Sequence, residues 1–343
     1  MTPKRRIIPV FIPHLGCPND CVFCNQKRIS GTLKPASPED VTRAISEGLS
    51  KIPAGAEAEA AFYGGSFTAI PAEEQVALLG AALPFLRSGR LSALRLSTRP
   101  DCIDGETLER LVSFGVKTVE LGVQSMCDDV LLLSGRGHTA KDAETASALI
   151  KNAGLKLILQ MMTGLPGDTP EKSEYTAKRL ASLHPDGVRI YPTVIIRDTA
   201  LYDMWRAGTY KEHTVEEAAR LCARLLDIFE EAEIPVIRLG LNPTDELSGG
   251  SAAGGAYHPA FGELAASERY LARASSELER IRPQGDVTLI VAPGQVSAMV
   301  GQKRKNIIAL SEKFGIKKLR VTEGNIEKGK VAVSADSPLQ KRI

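Results

Sequence analysis

The sequence has no long apolar run and almost no net charge, and each absence narrows its class. The longest apolar stretch falls far short of a membrane span, and no signal peptide precedes the first apolar strand. The 43 basic and 41 acidic residues leave a formal charge of +2, so no global field draws the chain to nucleic acid or membrane. Any such binding must come from a local patch. Cysteine is also sparse, six in 343 residues, and three of the six share one loop. That distribution is not a disulfide framework, and it points to the cytoplasm as the compartment. The length suffices for a full core, with one large domain and a small one as the expectation.

What is present is concentrated near the start. Gly16-Cys17-Pro18-Asn19-Asp20-Cys21-Val22-Phe23-Cys24 puts three thiols within eight residues, just after the apolar run Ile7–Phe11. Thiolates are soft ligands, and such a cluster in an intracellular chain indicates a metal or iron–sulfur site. Zinc or reactive thiols are the alternatives. Ferredoxin-type cubanes use four cysteines, and here a fourth is missing locally. One iron would then stay open to an outside ligand, as a catalytic zinc keeps an open position.

The spacing C-x3-C-x2-C, with an aromatic before the third cysteine, resembles the radical S-adenosylmethionine (SAM) superfamily. The resemblance implies that Cys17, Cys21 and Cys24 ligate a [4Fe-4S] cluster. SAM would chelate the open iron through its amino and carboxylate groups, and the backbone at Phe23 would touch adenine. One electron passed to the sulfonium then yields methionine and a 5′-deoxyadenosyl radical.

The rest of the chain alternates. Strand-like runs near 58–63, 93–97, 118–123, 155–161 and 188–191 are separated by helical patterns, the first opened by a cap at Ser37, and a further short strand is expected at 235–239. Six strand–helix repeats predict a parallel α/β sheet curled into a (β/α)6 partial barrel of radical SAM type, followed by a small α+β domain. The expected extents are 1–245 for the core, 246–282 for a linker and long helix, and 283–343 for the small domain. Each unusual loop follows a strand, where parallel sheets bind ligands.

Tyr63-Gly64-Gly65-Ser66 puts bare backbone at a strand end, where a ligand can come close. It matches the superfamily's glycine-rich motif, whose backbone holds the SAM amino group, except at Ser66, where Glu is common. Glu120, Gly122 and Gln124 alternate on one strand and so should share a face. A buried Glu without a partner would be costly. The functional reading is contact with the ribose or methionine part of SAM, and the alternative is a capping or salt-bridging role inside the barrel. Thr163–Gly167 resembles the superfamily's element near adenine. Arg99 and Arg136 could grip a carboxylate or phosphate, or sit solvated at the surface. Cys102, Cys127 and Cys222 read as buried small hydrophobes. His138 is the one histidine placed to meet a substrate.

Five stretches look like the radical SAM domain of the Elongator catalytic subunit, a tRNA wobble-uridine modifying enzyme: 63–69 (YGGSFTA), 97–101 (STRPD), 119–125 (VELGVQS), 136–139 (RGHT) and 189–210 (RIYPTVIIRDTALYDMWRAGTY). The resemblance places Tyr191 toward substrate. The cysteine spacing here departs from that subgroup, and nothing after about residue 240 resembles its acetyltransferase domain, so an acetyl-dependent reaction does not carry over. GVQS and GLPG also resemble the oxygen-independent coproporphyrinogen oxidase group, at superfamily-wide loops only.

After a glycine-rich break at 249–255, the order β-α-α-β-β from Val287 resembles a KH domain. Its G-x-x-G loop would clamp nucleic-acid backbone. Gly301 holds the first glycine position and Arg304 stands at the second, while Lys303, Arg304 and Lys305 would supply phosphate contacts. The expectation is a radical SAM enzyme on RNA, a tRNA base in particular, using an external ferredoxin- or flavodoxin-type electron donor. The alternatives are a small-metabolite substrate or a non-catalytic iron–sulfur scaffold that binds RNA.

Overall fold

A computed structural model describes residues 6–12, 21–24, 36–53, 55–241 and 250–335. They form two compact units. One comprises Met1–Glu212, Ile228–Leu239 and Pro243–Gly255, the other His213–Asp227, Gly240–Asn242 and Ala256–Ile343.

The first unit is built on seven parallel strands. These are β1 (Arg6–Phe11), β2 (Ala58–Tyr63), β3 (Ala93–Thr98), β4 (Val116–Gln124), β5 (Lys156–Thr163), β6 (Gly187–Pro192) and β8 (Val236–Leu239), hydrogen-bonded in that order. The sheet is the curled half-barrel that the resemblance implied, one strand longer than the six repeats read from the sequence. The extra strand is the run 236–239, read from the sequence as a short strand outside the six repeats. Only its pairing with β6 makes it part of the sheet.

The connecting helices are α1 (Pro38–Ser50), α2 (Ala72–Arg87), α3 (Gly105–Ser113), α4 (Asp128–Leu133), α5 (Ala140–Asn152), α6 (Pro170–Ser182) and α7 (Ala200–Arg206). Their starts follow from capping chemistry. Ser37 and Thr139 close capping boxes with Asp40 and Asp142, while Asp104, Thr169 and Thr199 accept from first-turn amides. The central strands are buried on both faces, as crossover helices require, and Leu94, Leu96, Val119, Leu121, Leu157 and Leu159 are fully enclosed.

Two strands depart from a linker reading. Ala252–Gly255, inside the glycine-rich break, is strand β9, paired antiparallel with β7 (Val194–Ile196). Gly255 has φ +81°, and a Cβ there would stand 2.6 Å from the Thr193 carbonyl, so only glycine fits this edge. The flexible break is therefore structured over these four residues, and its residue 249 lies outside the described residues.

The second unit begins with the first turns of α8 (Val215–Glu231) and continues through α9 (Phe261–Ile281), β10 (Val287–Val291), α10 (Val296–Val300), α11 (Lys305–Phe314), β11 (Leu319–Glu323) and β12 (Val331–Ala335). β10 is central, parallel to β11 and antiparallel to β12. Tyr270, Ala274 and Leu278 of α9 share one core with Val287, Leu289, Val291, Met299, Leu310 and Leu319. The long helix is thus built into this unit rather than strung ahead of it. Asp227 of α8 grips Arg269 and Arg273 of α9, each at 2.6 Å.

Candidate functional site

Because all seven strands run one way, the carboxyl ends of β1 to β6 lie at one edge of the sheet. The described part of the cysteine loop is a tight turn at 21–24, closed by the Cys24 amide donating to the Cys21 carbonyl at 3.0 Å. Two further backbone bonds fix it. The Val22 amide donates to the Ser134 carbonyl at 3.1 Å, and the Leu201 amide donates to the Val22 carbonyl at 2.7 Å. Val22 and Phe23 pack on the cluster of Ile195, Leu201 and Tyr210. The long block 189–210 therefore seats the cysteine turn, a task its sequence did not advertise.

Cys21 and Cys24 are thiols, the first buried and the second half-buried, and Cys17 lies outside the described residues. Arg136 Nη1 donates to Cys21 Sγ at 3.3 Å, while Nη2 donates to the Gly122 carbonyl at 2.6 Å. A fixed positive charge thus stands beside a sulfur that would be anionic as a metal ligand. Soft donors in a pinned turn, one beside a guanidinium, fit an iron–sulfur cluster. Among the described residues no group of three metal-ligating side chains forms.

The expected alternation of β4 breaks at its end. A register shift between Gly122 and Gln124 puts Gln124 opposite Met161, and Gln124 takes φ +68°. Glu120 and Gln124 therefore do not share one regular face. Gln124 is buried, and its Oε1 has no hydrogen-bond partner. A Cβ on Gly122 would stand 2.9 Å from Gln124 Nε2 and 3.4 Å from Arg136 Nη2, so glycine makes room for both. An unpartnered buried amide oxygen beside the cysteine turn is a natural acceptor for a ligand hydroxyl or ammonium.

Gly64 lies at φ +105°, where a Cβ would stand 3.0 Å from the Ile12 carbonyl. The Gly64-Gly65 backbone is thus held close to the end of β1. Ser66 is buried, its hydroxyl 3.4 Å from Thr98 Oγ1, which also meets Thr68 Oγ1 at 2.5 Å. After β5, Thr163 is fully buried with Oγ1 unpartnered, and Tyr210 donates to the Gly164 carbonyl at 2.6 Å.

Glu120 is completely buried and saturated. Tyr63 Oη, Arg95 Nη1 and Arg189 Nη2 donate to Oε1 at 2.7, 3.0 and 2.9 Å, and Gln160 donates to Oε2 at 3.1 Å. Arg189 Nε stands 2.8 Å from the same Oε2. Arg95 also pairs with Glu59, and Arg189 sits over the Tyr63 ring, 5.8 Å from its centroid, and reaches Tyr191 Oη at 3.5 Å. Burial and the Glu120 charge push the Tyr63 phenol up, so it stays protonated. Sequence reasoning missed this network as a unit. Its one signal was polar residues at 95, 120, 160 and 189 inside otherwise apolar strands.

Arg99 and Arg136 are both buried rather than solvated. Arg99 binds Asp101 bidentately at 2.9 Å and donates to the Arg136 carbonyl at 2.5 Å. His138 is buried too, with Nε2 at 3.1 Å from the Val123 carbonyl. Since a carbonyl only accepts, Nε2 carries the proton. Burial, aided by Arg136, pushes the ring down to about 4. Cys222 is buried, and Cys102 and Cys127 are half-buried.

In the second unit, Gly301 has φ +73°, and a Cβ there would stand 2.9 Å from Ser267 Oγ. Lys303 and Arg304 both adopt left-handed backbone, at φ +50° and +62°, and lead exposed into α11. Arg304 thus occupies a conformation that glycine would take without strain. Lys305 Nζ pairs with Glu268 at 2.9 Å.

The family model of the radical SAM superfamily matches residues 11–180, and that of the radical SAM C-terminal domain matches 185–273. The chain is 38% identical over 132 residues to the tRNA uridine(34) acetyltransferase of Methanocaldococcus infernus, covering 38% of this chain and 25% of that protein. It is 34% identical over 138 residues to human Elongator complex protein 3, covering 39% and 25%. The matched stretch therefore spans about a quarter of the length of these curated relatives. Among solved structures, Elp3 of Methanocaldococcus infernus with an N-terminal deletion aligns at TM-score 0.59 and 25% identity over 76% of this chain and 61% of that one. Coproporphyrinogen III oxidase of Escherichia coli, a radical SAM enzyme, aligns at TM-score 0.50 and 18% identity over 67% and 53%, a likeness of fold. No helix among the described residues is long and apolar enough to cross a membrane.

Proposed function

This chain belongs to the radical SAM superfamily, whose members bind a [4Fe-4S] cluster and SAM, and on that premise we propose that it modifies a base in RNA, with tRNA as the substrate. The observation that carries the reading is the junction of the cysteine turn with the end of β4. Arg136 ties Cys21 to Gly122, two residues before Gln124, whose amide oxygen is unpartnered. The tRNA target is supported by the relatives that match over the same domain, tRNA uridine(34) acetyltransferases and Elongator complex protein 3.

In this reading Cys17, Cys21 and Cys24 would hold the cluster. When bound, the cluster and SAM supply a carbon-centred radical by one-electron cleavage of the sulfonium, the electron coming from an external ferredoxin or flavodoxin. The Gly64-Gly65 backbone, Ser66, the Phe23 backbone and Gln124 Oε1 position SAM. Glu120 is saturated by its four partners, so it acts through them, fixing Tyr63 and Arg189 in the sheet interior. Tyr191, half-buried beside Arg189, faces the substrate. Lys303, Arg304 and Lys305, with the Gly301 turn, meet RNA phosphates.

Two measurements test this. Anaerobic protein loaded with iron and sulfide, then reduced, should change its spectrum on adding SAM and release 5′-deoxyadenosine. Cys21→Ser and Cys24→Ser should abolish both, and a full response in either variant would refute the cluster assignment. Nucleosides of total tRNA from cells with and without the protein should differ at one modified base. Identical profiles would refute the tRNA substrate.

A further inference from the structure

The second unit contains a cavity of about 270 Å³ that the radical chemistry does not use. Val215, Ala219 and Leu264 are among its apolar lining residues, and Glu268, Gln302 and Lys305 among its polar ones. Resting on the RNA reading above, we propose that this cavity takes one unpaired nucleobase of the bound RNA and selects a base with an exocyclic amino group.

Size is the first argument. The space lies just under the ~300–1,000 Å³ of sites that enclose whole cofactors or drug-sized ligands. A single base fits that volume, whereas a dinucleotide or a helical stem does not.

Chemistry is the second. A base is flat and apolar on its faces and alternates donors and acceptors along its edge, and single-stranded bases are read at those edges. The lining combines both kinds of group, aliphatic Val215, Ala219 and Leu264 with polar Ser267, Glu268 and Gln302. Glu268 is mostly buried, its side chain 11% exposed, and Lys305 holds its Oε1 at 2.9 Å. Its Oε2 is left to accept from an amino group, the contact by which acidic side chains read cytosine. His258 accepts from the Ala260 amide through Nδ1 at 3.1 Å, so its neutral form carries the proton on Nε2. Glu216 adds a second carboxylate to the lining. With Glu268 paired to Lys305, the lining keeps a net negative charge, which disfavours a phosphate inside and favours a donor-bearing base.

The third argument is the rim. Gln302 and Lys305, which line the cavity, flank exposed Lys303 and Arg304 at the start of α11. A backbone held by those cations delivers its base to the adjoining cavity. Asn306 stiffens the turn. It is buried, its Nδ2 donates to the Ser267 carbonyl and hydroxyl at 2.9 and 3.0 Å, and its unpartnered Oδ1 faces Gly301.

The test uses the full chain and short fluorescent single-stranded oligonucleotides of A, C, G and U, read by anisotropy. One or more of the amino-bearing oligonucleotides should bind about tenfold more tightly than oligo-U, the discrimination of one good edge contact. Glu268→Gln should remove that preference. If it does not fold, Gln302→Ala, on the exposed turn, should weaken the preference instead. Lys303→Glu with Arg304→Glu should weaken all four alike and lower the salt slope by about 0.7 for each phosphate no longer neutralised. Equal affinity for all four oligonucleotides, or an unchanged preference in a folded Glu268→Gln, overturns the proposal. The tRNA nucleoside comparison reports separately. Base-selective binding with unaltered tRNA refutes the tRNA substrate and keeps the pocket, while altered tRNA without base selectivity refutes the pocket alone.

Discussion

Glu120→Gln preserves the shape of the side chain at the centre of the first unit and removes its charge. Arg189 then loses the only carboxylate it meets among the described residues, whereas Arg95 keeps Glu59. Both guanidiniums are mostly buried, at 16% and 11% side-chain exposure. Removing one partner of a buried pair costs about 3–5 kcal/mol, because the remaining charge stays desolvated. The retained Glu59 pair and the amide oxygen of Gln offset part of this, so about 3 kcal/mol is expected. In a unit of this size that lowers the melting temperature by roughly 6–12 °C. Urea unfolding of the metal-free protein measures it, followed by the tryptophan of the first unit, Trp205. Arg189→Met together with Glu120→Gln should cost less than the two separate losses by about 1–3 kcal/mol, since the pair is coupled. A cost below about 1 kcal/mol, or strict additivity, would show that Glu120 does not hold this network.

Gly122→Ala should displace Gln124, whose Nε2 would stand 2.9 Å from the new Cβ, and weaken SAM binding about tenfold in equilibrium dialysis. Unchanged binding would remove Gln124 from the cofactor site. His138 is held down to about 4 by burial, so the unfolded chain binds the extra proton between pH 6.5 and 4. Its share of the stability is complete above about 6.5 and declines as pH falls, by roughly 3 kcal/mol at most. His138→Phe should flatten that part of the unfolding profile, and an identical profile would refute the assignment. Arg304→Gly should relieve left-handed strain, stabilising the second unit by about 0.5–1 kcal/mol in urea unfolding, against the usual sign for glycine. A destabilised variant would show that the turn is not strained.

Much of the frame was legible because its signals are local. Helix starts at Ser37, Asp104, Thr139 and Thr169 are written in capping residues, and parallel strands buried on both faces read as apolar runs. β8 was legible as a short strand, but β9 was not. Four residues such as Ala252–Gly255 have no period of their own, and only a partner's edge makes them extended. The break in alternation at the end of β4 was hidden for a similar reason. A register shift is a relation between two strands, and neither sequence alone contains it.

The residues by themselves determined the class of chemistry. Three thiols at fixed spacing and glycines at a strand end are requirements of ligand and backbone, met within a few residues of chain. Tertiary structure alone decided which side chains serve that chemistry and which serve each other. It paired Glu120 with Tyr63, Arg95, Gln160 and Arg189, and it left the oxygen of Gln124 without a partner. The physical reason is that satisfaction of a buried polar group depends on atoms up to 126 positions apart, as in the bond from Arg189 to Tyr63, and no local pattern records such meetings.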